Sequence, residues 1–490
     1  MPMKLNYQTL ASLPANLTKP SYHREQLSGG IVHIGVGNFH RAHQAIYLHR
    51  LFNLGKSHDW AIIGAGTKSF DTIMREKLKQ QDYLTTVVDL DAKGLSAQIC
   101  GSMIDFIEND TAKLISKLSE DSTRIVSLTI TEGGYYINSK GGFDLAHPDI
   151  LHDISNHSQP KTVFGMMLAA LQHRREHGIA AFTVMSCDNI PHNGDVTKRI
   201  MLEMAKRIDT HFAHWLEAQV TFPNSMVDCI TPATSEAEKT RLINLFGVED
   251  LAPVFCEPFR QWVLEDNFCN GRPALEEVGV EFVADVAPFE LMKLRILNGG
   301  HAAIAYPAAL LGVNIVSDVM TESHITAYLK KLTTEEIIPS LSAVPGVNFA
   351  DYAELIVSRF ANPEVRDTVP RLCQDASNRL PKFIFPIIRD NLAAGRSVKG
   401  LALVVALWCR LCAMNSSAEQ GLSFDLYDEH APRLAELSLQ AKDNPVVFLQ
   451  MHDIFGEIGT NAVFVTHFSA WLTTLWQKGV ANTLADYYRG

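Results

Sequence analysis

Gly30–Gly37, GIVHIGVG, runs directly into Asn38–His43, NFHRAH, and the reading of this junction decides the fold class. The β-branched run ahead of Gly35 reads as a strand buried on both faces, and the residues after Gly37 open a helix. In a doubly wound fold the first strand-to-helix turn needs glycine twice over. The chain must turn tightly, and the backbone must approach a pyrophosphate seated at the following helix N-terminus. Gly35 and Gly37 take the first two glycine positions, and His40 stands where the third belongs, so the GxGxxG fingerprint is broken. A GxG pair alone arises by chance, and its place after the first clear strand is what gives it weight. Gly35, Gly37, Asn38 and Phe39 are therefore assigned to a dinucleotide. Arg41 either meets a phosphate from the helix side or is a surface arginine.

Working outward, Trp60–Gly66, Tyr83–Leu90, Arg124–Thr131 and Ala180–Cys187 read as further buried strands. Val163–His177 reads as an amphipathic helix stopped by Gly178. Strands alternating with helices imply a mainly parallel sheet covered on both faces, an α/β Rossmann-type domain. From about Pro288 the pattern changes to long helix-periodic segments: Pro288–Leu311, Ile325–Leu341, Tyr352–Phe360, Leu401–Met414, Pro445–Phe455 and Ala462–Lys478. The expected division is a dinucleotide-binding domain over residues 1–287 and a mostly helical substrate and catalytic domain over residues 288–490. With no Gly/Pro/Ser-rich linker, the two are expected to pack tightly around a cleft.

Composition narrows the function. With 47% apolar and 20% charged residues the chain is globular rather than disordered. Its net charge of −11 and the absence of any Lys/Arg run longer than two argue against nucleic acid and anionic membrane as partners. The longest fully apolar run, Leu401–Cys409, is about half a bilayer span, and residues 1–20 hold no signal-like apolar core. A cytoplasmic protein acting on a small molecule is expected, with its oligomeric partner unspecified. Its eight cysteines fit reduced thiols, and the Cys409/Cys412 pair fits helix packing.

Three further stretches carry chemistry. In SCDNIPHNG, Ser186–Gly194, Asn189 is an amide donor at a strand carboxyl end, where ligands of open sheets bind. The alternative there is an Asx turn built by Asp188 and Asn193–Gly194. WAIIGAGTKSFD offers Asp71 as a ribose-binding acid a few residues past the strand end, with Lys68 able to tolerate a 2′-phosphate, so NAD is favoured and NADP possible. In FELMKLRILNGGHAAIAY, Phe289–Tyr306, ideal helical spacing puts Glu290 at about +60°, His301 at about +80° and Asn298 at about +140° from Lys293. The alternative is a solvated polar stripe. A lysine among apolar side chains is pushed toward its neutral form and can act as a base. Asn189 and Asn298 supply neutral donors for an alkoxide, and His301 can hold a hydroxyl. The scattered Cys and His show no zinc-ligand cluster, so a metal-independent reaction is expected. A YxxxK reading of Tyr136 and Lys140 falls in a turn, in a chain about twice the length of short-chain reductases.

GVGNFHRAH, TITEGGY (Thr129–Tyr135), SCDNIPHNG, CEPFRQWVLEDNF (Cys256–Phe268) and the Lys293/Asn298/His301 set occur together and in this order. In that set the chain resembles the polyol-specific long-chain dehydrogenases, the family typified by mannitol 2-dehydrogenase. The resemblance implies hydride transfer between a linear polyol and NAD(P), giving a ketose such as fructose. It implies Lys293 as general base, Asn189 and Asn298 as oxyanion hole, His301 as substrate positioner and Glu290 as the acid gating proton release. It also implies Asp228, Arg371 and Arg379 as the polyol lining. The chain departs from the family at Cys229, where arginine is usual, and at Arg379, where mannitol enzymes carry lysine. It departs again at Phe70, where an acid commonly precedes Asp71, and at Gly300, where serine is usual. Hexuronate oxidoreductases and arabinitol dehydrogenases are the neighbouring activities, and TEGGY with Arg371 favours a neutral polyol.

Overall fold

The computed structural model describes residues 2–138, 141–416 and 422–490, and the chain divides into two units, Met1–Ala287 and Pro288–Gly490. Lys140, the lysine of the YxxxK reading, lies outside the described residues.

The first unit is built on five parallel strands: β1 (Gly29–Ile34), β2 (Ala61–Ala65), β3 (Met103–Phe106), β4 (Ile125–Leu128) and β5 (Thr183–Ser186). Their order is β3-β2-β1-β4-β5, the arrangement of a Rossmann fold, in which the chain reverses direction across the sheet between β1 and β4. Side chains alternate between two apolar cores. Ile31, Ile62, Ile125 and Met185 enter one, and Val32, Ile63, Val126 and Val184 enter the other. Both faces are buried, which is why these strands read as continuous apolar runs. The helix Val163–Glu176 covers the second face, and the chain leaves it through Gly178 at φ +67°.

Two features differ from the sequence reading. The run Tyr83–Leu90 does form a strand, Thr85–Asp89, but it belongs to a separate four-stranded sheet, pairing antiparallel with Ser96–Cys100. The edge of the parallel sheet is taken instead by β3, whose sequence MIDF is too short and too polar to announce itself. Beside the main sheet, Ser225–Asp228 pairs antiparallel with Gln261–Glu265.

The second unit is helical. Its helix Lys399–Ser416 is the one described segment with the length and hydropathy of a membrane span, and 72% of it is buried inside the fold. A helix apolar on all sides needs a core on all sides, and Cys409 and Cys412 are buried on it. Its first turn is closed by Glu336, whose carboxylate accepts from Gly400 N at 2.7 Å and Leu401 N at 2.9 Å.

Candidate functional site

In the first unit the turn after β1 uses its two glycines differently. Gly35 stands at φ +101°, and a Cβ there would lie 2.1 Å from the Thr129 carbonyl oxygen. The strand pair β1/β4 therefore requires glycine at this position. Gly35→Ala is expected to destabilise the protein by at least about 2 kcal/mol, read from urea unfolding; an unchanged midpoint would refute this packing. Gly37 has φ −90° and is exposed. A Cβ there would meet nothing nearer than Gly35 O at 3.9 Å. The fold leaves that space open, and a dinucleotide phosphate is a group that would use it.

Arg41, expected at a phosphate or on the surface, is in neither place. It is 2% exposed. Its guanidinium donates to the Ala252 carbonyl, to Asn38 Oδ1 at 2.7 Å and to Gly37 O at 3.3 Å. Arg41 therefore holds the turn and orients Asn38 from behind. Phe39 stacks on His43 with ring centroids 5.0 Å apart. His40, in place of the third glycine, lies flat on His33 of β1 at 3.4 Å and 10°. A planar ring thus fills the place where glycine normally permits close helix–strand packing.

Asp71 belongs to the helix Ser69–Lys79 but reaches back to the end of β2. Its Oδ2 accepts from Thr67 N at 2.9 Å and Lys68 N at 2.8 Å. Gly66 makes room, since a Cβ there would sit 2.2 Å from the Asp71 Cβ. The carboxylate thereby occupies the strand end where the sequence shows no acid.

At the end of β5, Asn189 follows Asp188, which builds no Asx turn of its own. The Asp188 carboxylate accepts instead from Ile130 N, Thr131 N and the Tyr135 hydroxyl. Asn193 ties the loop down, donating to Asp188 O at 3.0 Å and Ser225 O at 2.8 Å. Asp228, 5% exposed, ends the strand that Ser225 begins.

In the second unit, Glu290 and Lys293 are 8% and 7% exposed on the helix Ala287–Lys293. The next five residues, Leu294–Asn298, form a π turn, with Gly299 N bonding the Leu294 carbonyl five residues back. The helix then continues as Gly299–Leu310, so the two glycines do not end it. The extra residue in the turn overturns the ideal-helix angles. Asn298 moves to about +40° and His301 to about −20° from Lys293, with Glu290 still at about +60°. All four side chains come onto one stripe narrower than the sequence implied.

On that stripe, Asn298 Oδ1 and His301 Nε2 are buried without a hydrogen-bond partner. The His301 ring stacks on Phe360 at 4.0 Å. Arg371 and Arg379 act on His301 electrostatically. Arg371 makes a two-point pair with Asp367, at 2.7 and 2.5 Å, and Arg379 donates to Leu372 O at 2.9 Å. Burial pushes His301 down to about 3, so its ring is neutral at ordinary pH.

Burial likewise takes His33 to about 3 and His49 to about 4. A depressed histidine makes the folded chain bind fewer protons than the unfolded one, so stability is complete above about pH 6.5 and falls below it. The loss approaches about 1.4 kcal/mol per histidine per pH unit. The urea midpoint is expected to drop between pH 7 and pH 5; equal midpoints would contradict neutral burial of these rings.

The sequence matches the Mannitol dehydrogenase Rossmann domain over residues 29–277 and the Mannitol dehydrogenase C-terminal domain over residues 285–476. The chain belongs to the mannitol dehydrogenase family. Within this family, mannitol 2-dehydrogenase of Cereibacter sphaeroides is 50% identical over 474 residues, 96% of this chain and 99% of that protein. The structure of Pseudomonas fluorescens mannitol 2-dehydrogenase in ternary complex with NAD and D-mannitol is 42% identical, with a TM-score of 0.88 over 99% of this chain and 100% of the other. A D-sorbitol dehydrogenase in substrate-free form is 33% identical, with a TM-score of 0.89 over 98% and 100%.

Proposed function

We propose that the chain is an NAD-linked, metal-independent polyol dehydrogenase that oxidises D-mannitol to a ketose such as fructose. The observation that carries this reading is the π turn, which gathers Glu290, Lys293, Asn298 and His301 on one stripe with two buried polar atoms awaiting partners. The family assignment and the relatives' names support it.

The residues of the first unit suit a dinucleotide. Gly37 offers open space beside its backbone, and Asp71 has turned its carboxylate to the end of β2 with Oδ2 already anchored. Asn38, fixed by Arg41, and Phe39 border the same turn. Phe70, 67% exposed, stands where the family commonly has an acid before Asp71, and Lys68 is exposed, so NADP is the weaker alternative cofactor.

A bound nicotinamide supplies the hydride acceptor. Lys293 Nζ, buried on this stripe, takes the hydroxyl proton as general base. Asn298 and Asn189 donate amide N–H groups to the oxygen as its negative charge grows. His301, neutral, bonds a substrate hydroxyl through Nε2, and Glu290 passes the proton on from Lys293. Asp228, Arg371 and Arg379 bind the remaining hydroxyls. The eight cysteines are all unpaired, in keeping with a reducing, cytoplasmic setting. Mannitol, arabinitol, sorbitol and mannonate, each tried with NAD and with NADP, test the assignment. Mannitol with NAD is expected to give the highest kcat/KM, with activity surviving EDTA. A sharp preference for mannonate would move the chain to the hexuronate oxidoreductases.

A further inference from the structure

Thr131 follows β4 with φ +65° and ψ 164°, a region populated almost solely by glycine. It is the only β-branched residue with positive φ among the described residues. A backbone in that state persists where its surroundings hold it, and here the holder is Asp188. Its Oδ1 accepts from Thr131 N at 2.8 Å. Its Oδ2 accepts from Ile130 N at 3.0 Å and from the Tyr135 hydroxyl at 2.7 Å. That hydroxyl also lies 2.6 Å from Ser186 Oγ. Tyr135 is fully buried and Asp188 nearly so, so the base of the clamp is held inside the fold while Thr131 itself is exposed at the strand end.

The clamped segment lies at the reversal point of the sheet. Thr129 Oγ1 donates to the Gly35 carbonyl at 2.7 Å, and the Thr129 carbonyl is the group that Gly35 must clear. Residues 129–131 therefore form the β4 side of the β1/β4 crevice, where ligands of open α/β sheets bind. Glycine at 131 would reach this conformation freely but would also leave it freely. Threonine held by a carboxylate gives a rigid wall.

We propose that Asp188 is a positioning residue for the dinucleotide, acting by locking Thr131 in its strained conformation so that the carboxyl end of β4 keeps the shape the cofactor needs. This rests on the dehydrogenase reading above. Asparagine at 188 keeps the size of the side chain but accepts at only one oxygen and turns N–H groups toward donors. Removing the strain at 131 makes the clamp dispensable.

The test is a double-mutant cycle of D188N and T131G in the full-length protein, measuring kcat, KM for NAD, NADH affinity by fluorescence and the thermal midpoint. D188N is expected to lower kcat/KM on the order of 100-fold, chiefly through KM for NAD, as expected for a misplaced binding wall. In the T131G background the same substitution is expected to cost less than about tenfold. Equal losses in both backgrounds, or losses that follow the thermal midpoint alone, would overturn the proposal. Turnover of any polyol by the unmutated protein tests the dehydrogenase reading separately. If that turnover is absent, the NADH affinities of the same four proteins still decide whether Asp188 acts through Thr131.

Discussion

Replacing Lys293 with alanine is expected to lower kcat for polyol oxidation about a thousandfold or more, within the range general-base catalysis supplies, while NADH affinity changes by less than about twofold. The size follows from what remains on the stripe. Asn298 is an amide with no useful basicity. His301 is pushed down to about 3 by burial, so as a base it is far too weak to take an alcohol proton at neutral pH. Glu290 carries a carboxyl group, a class of base far weaker than an amine. None of these three can take over. The split between turnover and NADH affinity separates a lost base from a damaged fold, and a small primary amine added to the Lys293→Ala protein is expected to restore part of the rate by occupying the vacated volume. Normal mannitol turnover by this variant would remove Lys293 from the mechanism.

How much of this was legible in the sequence differs by feature, for physical reasons. Strands β1, β2, β4 and β5 were legible because a sheet buried on both faces leaves an uninterrupted apolar run. Sheet membership was not. Thr85–Asp89 has the same β-branched composition, and its partners, Ser96–Cys100 and Val254–Cys256, are chosen by pairings that local pattern does not encode. The grouping of Lys293, Asn298 and His301 was legible as spacing but misplaced in angle, because LRILN has the composition of any α-helical turn and nothing in it announces the extra residue. Arg41 could not be placed because its decisive acceptor, the Ala252 carbonyl, lies far along the chain. The sequence offers Asp188 only as part of an alternative Asx turn, yet its carboxylate works across the sheet at Ile130, Thr131 and Tyr135. The available signal was an acid beside a proposed amide donor at a strand end, a position where burial demands partners.

Substituting Gly37 with alanine is expected to leave the fold intact and weaken NADH binding on the order of 100-fold or more, because the new methyl group would stand in the open space that a dinucleotide phosphate would use. The fold tolerates the change because φ is −90° at this residue and a new Cβ meets no protein atom closer than 3.9 Å. Alanine in a permitted conformation also restricts the unfolded chain, so the thermal midpoint is expected to hold or rise slightly. The same substitution two residues earlier gives the opposite pair of outcomes. At Gly35 the Cβ would press within 2.1 Å of the Thr129 carbonyl oxygen, so stability falls directly. One methyl group thus distinguishes a glycine the protein needs for itself from a glycine it keeps for its ligand. Binding by Gly37→Ala within about threefold of the unmutated protein, a difference under about 1 kcal/mol, would mean that no phosphate sits on this turn, and the assignment of Gly35–Asn38 to the dinucleotide would fall with it.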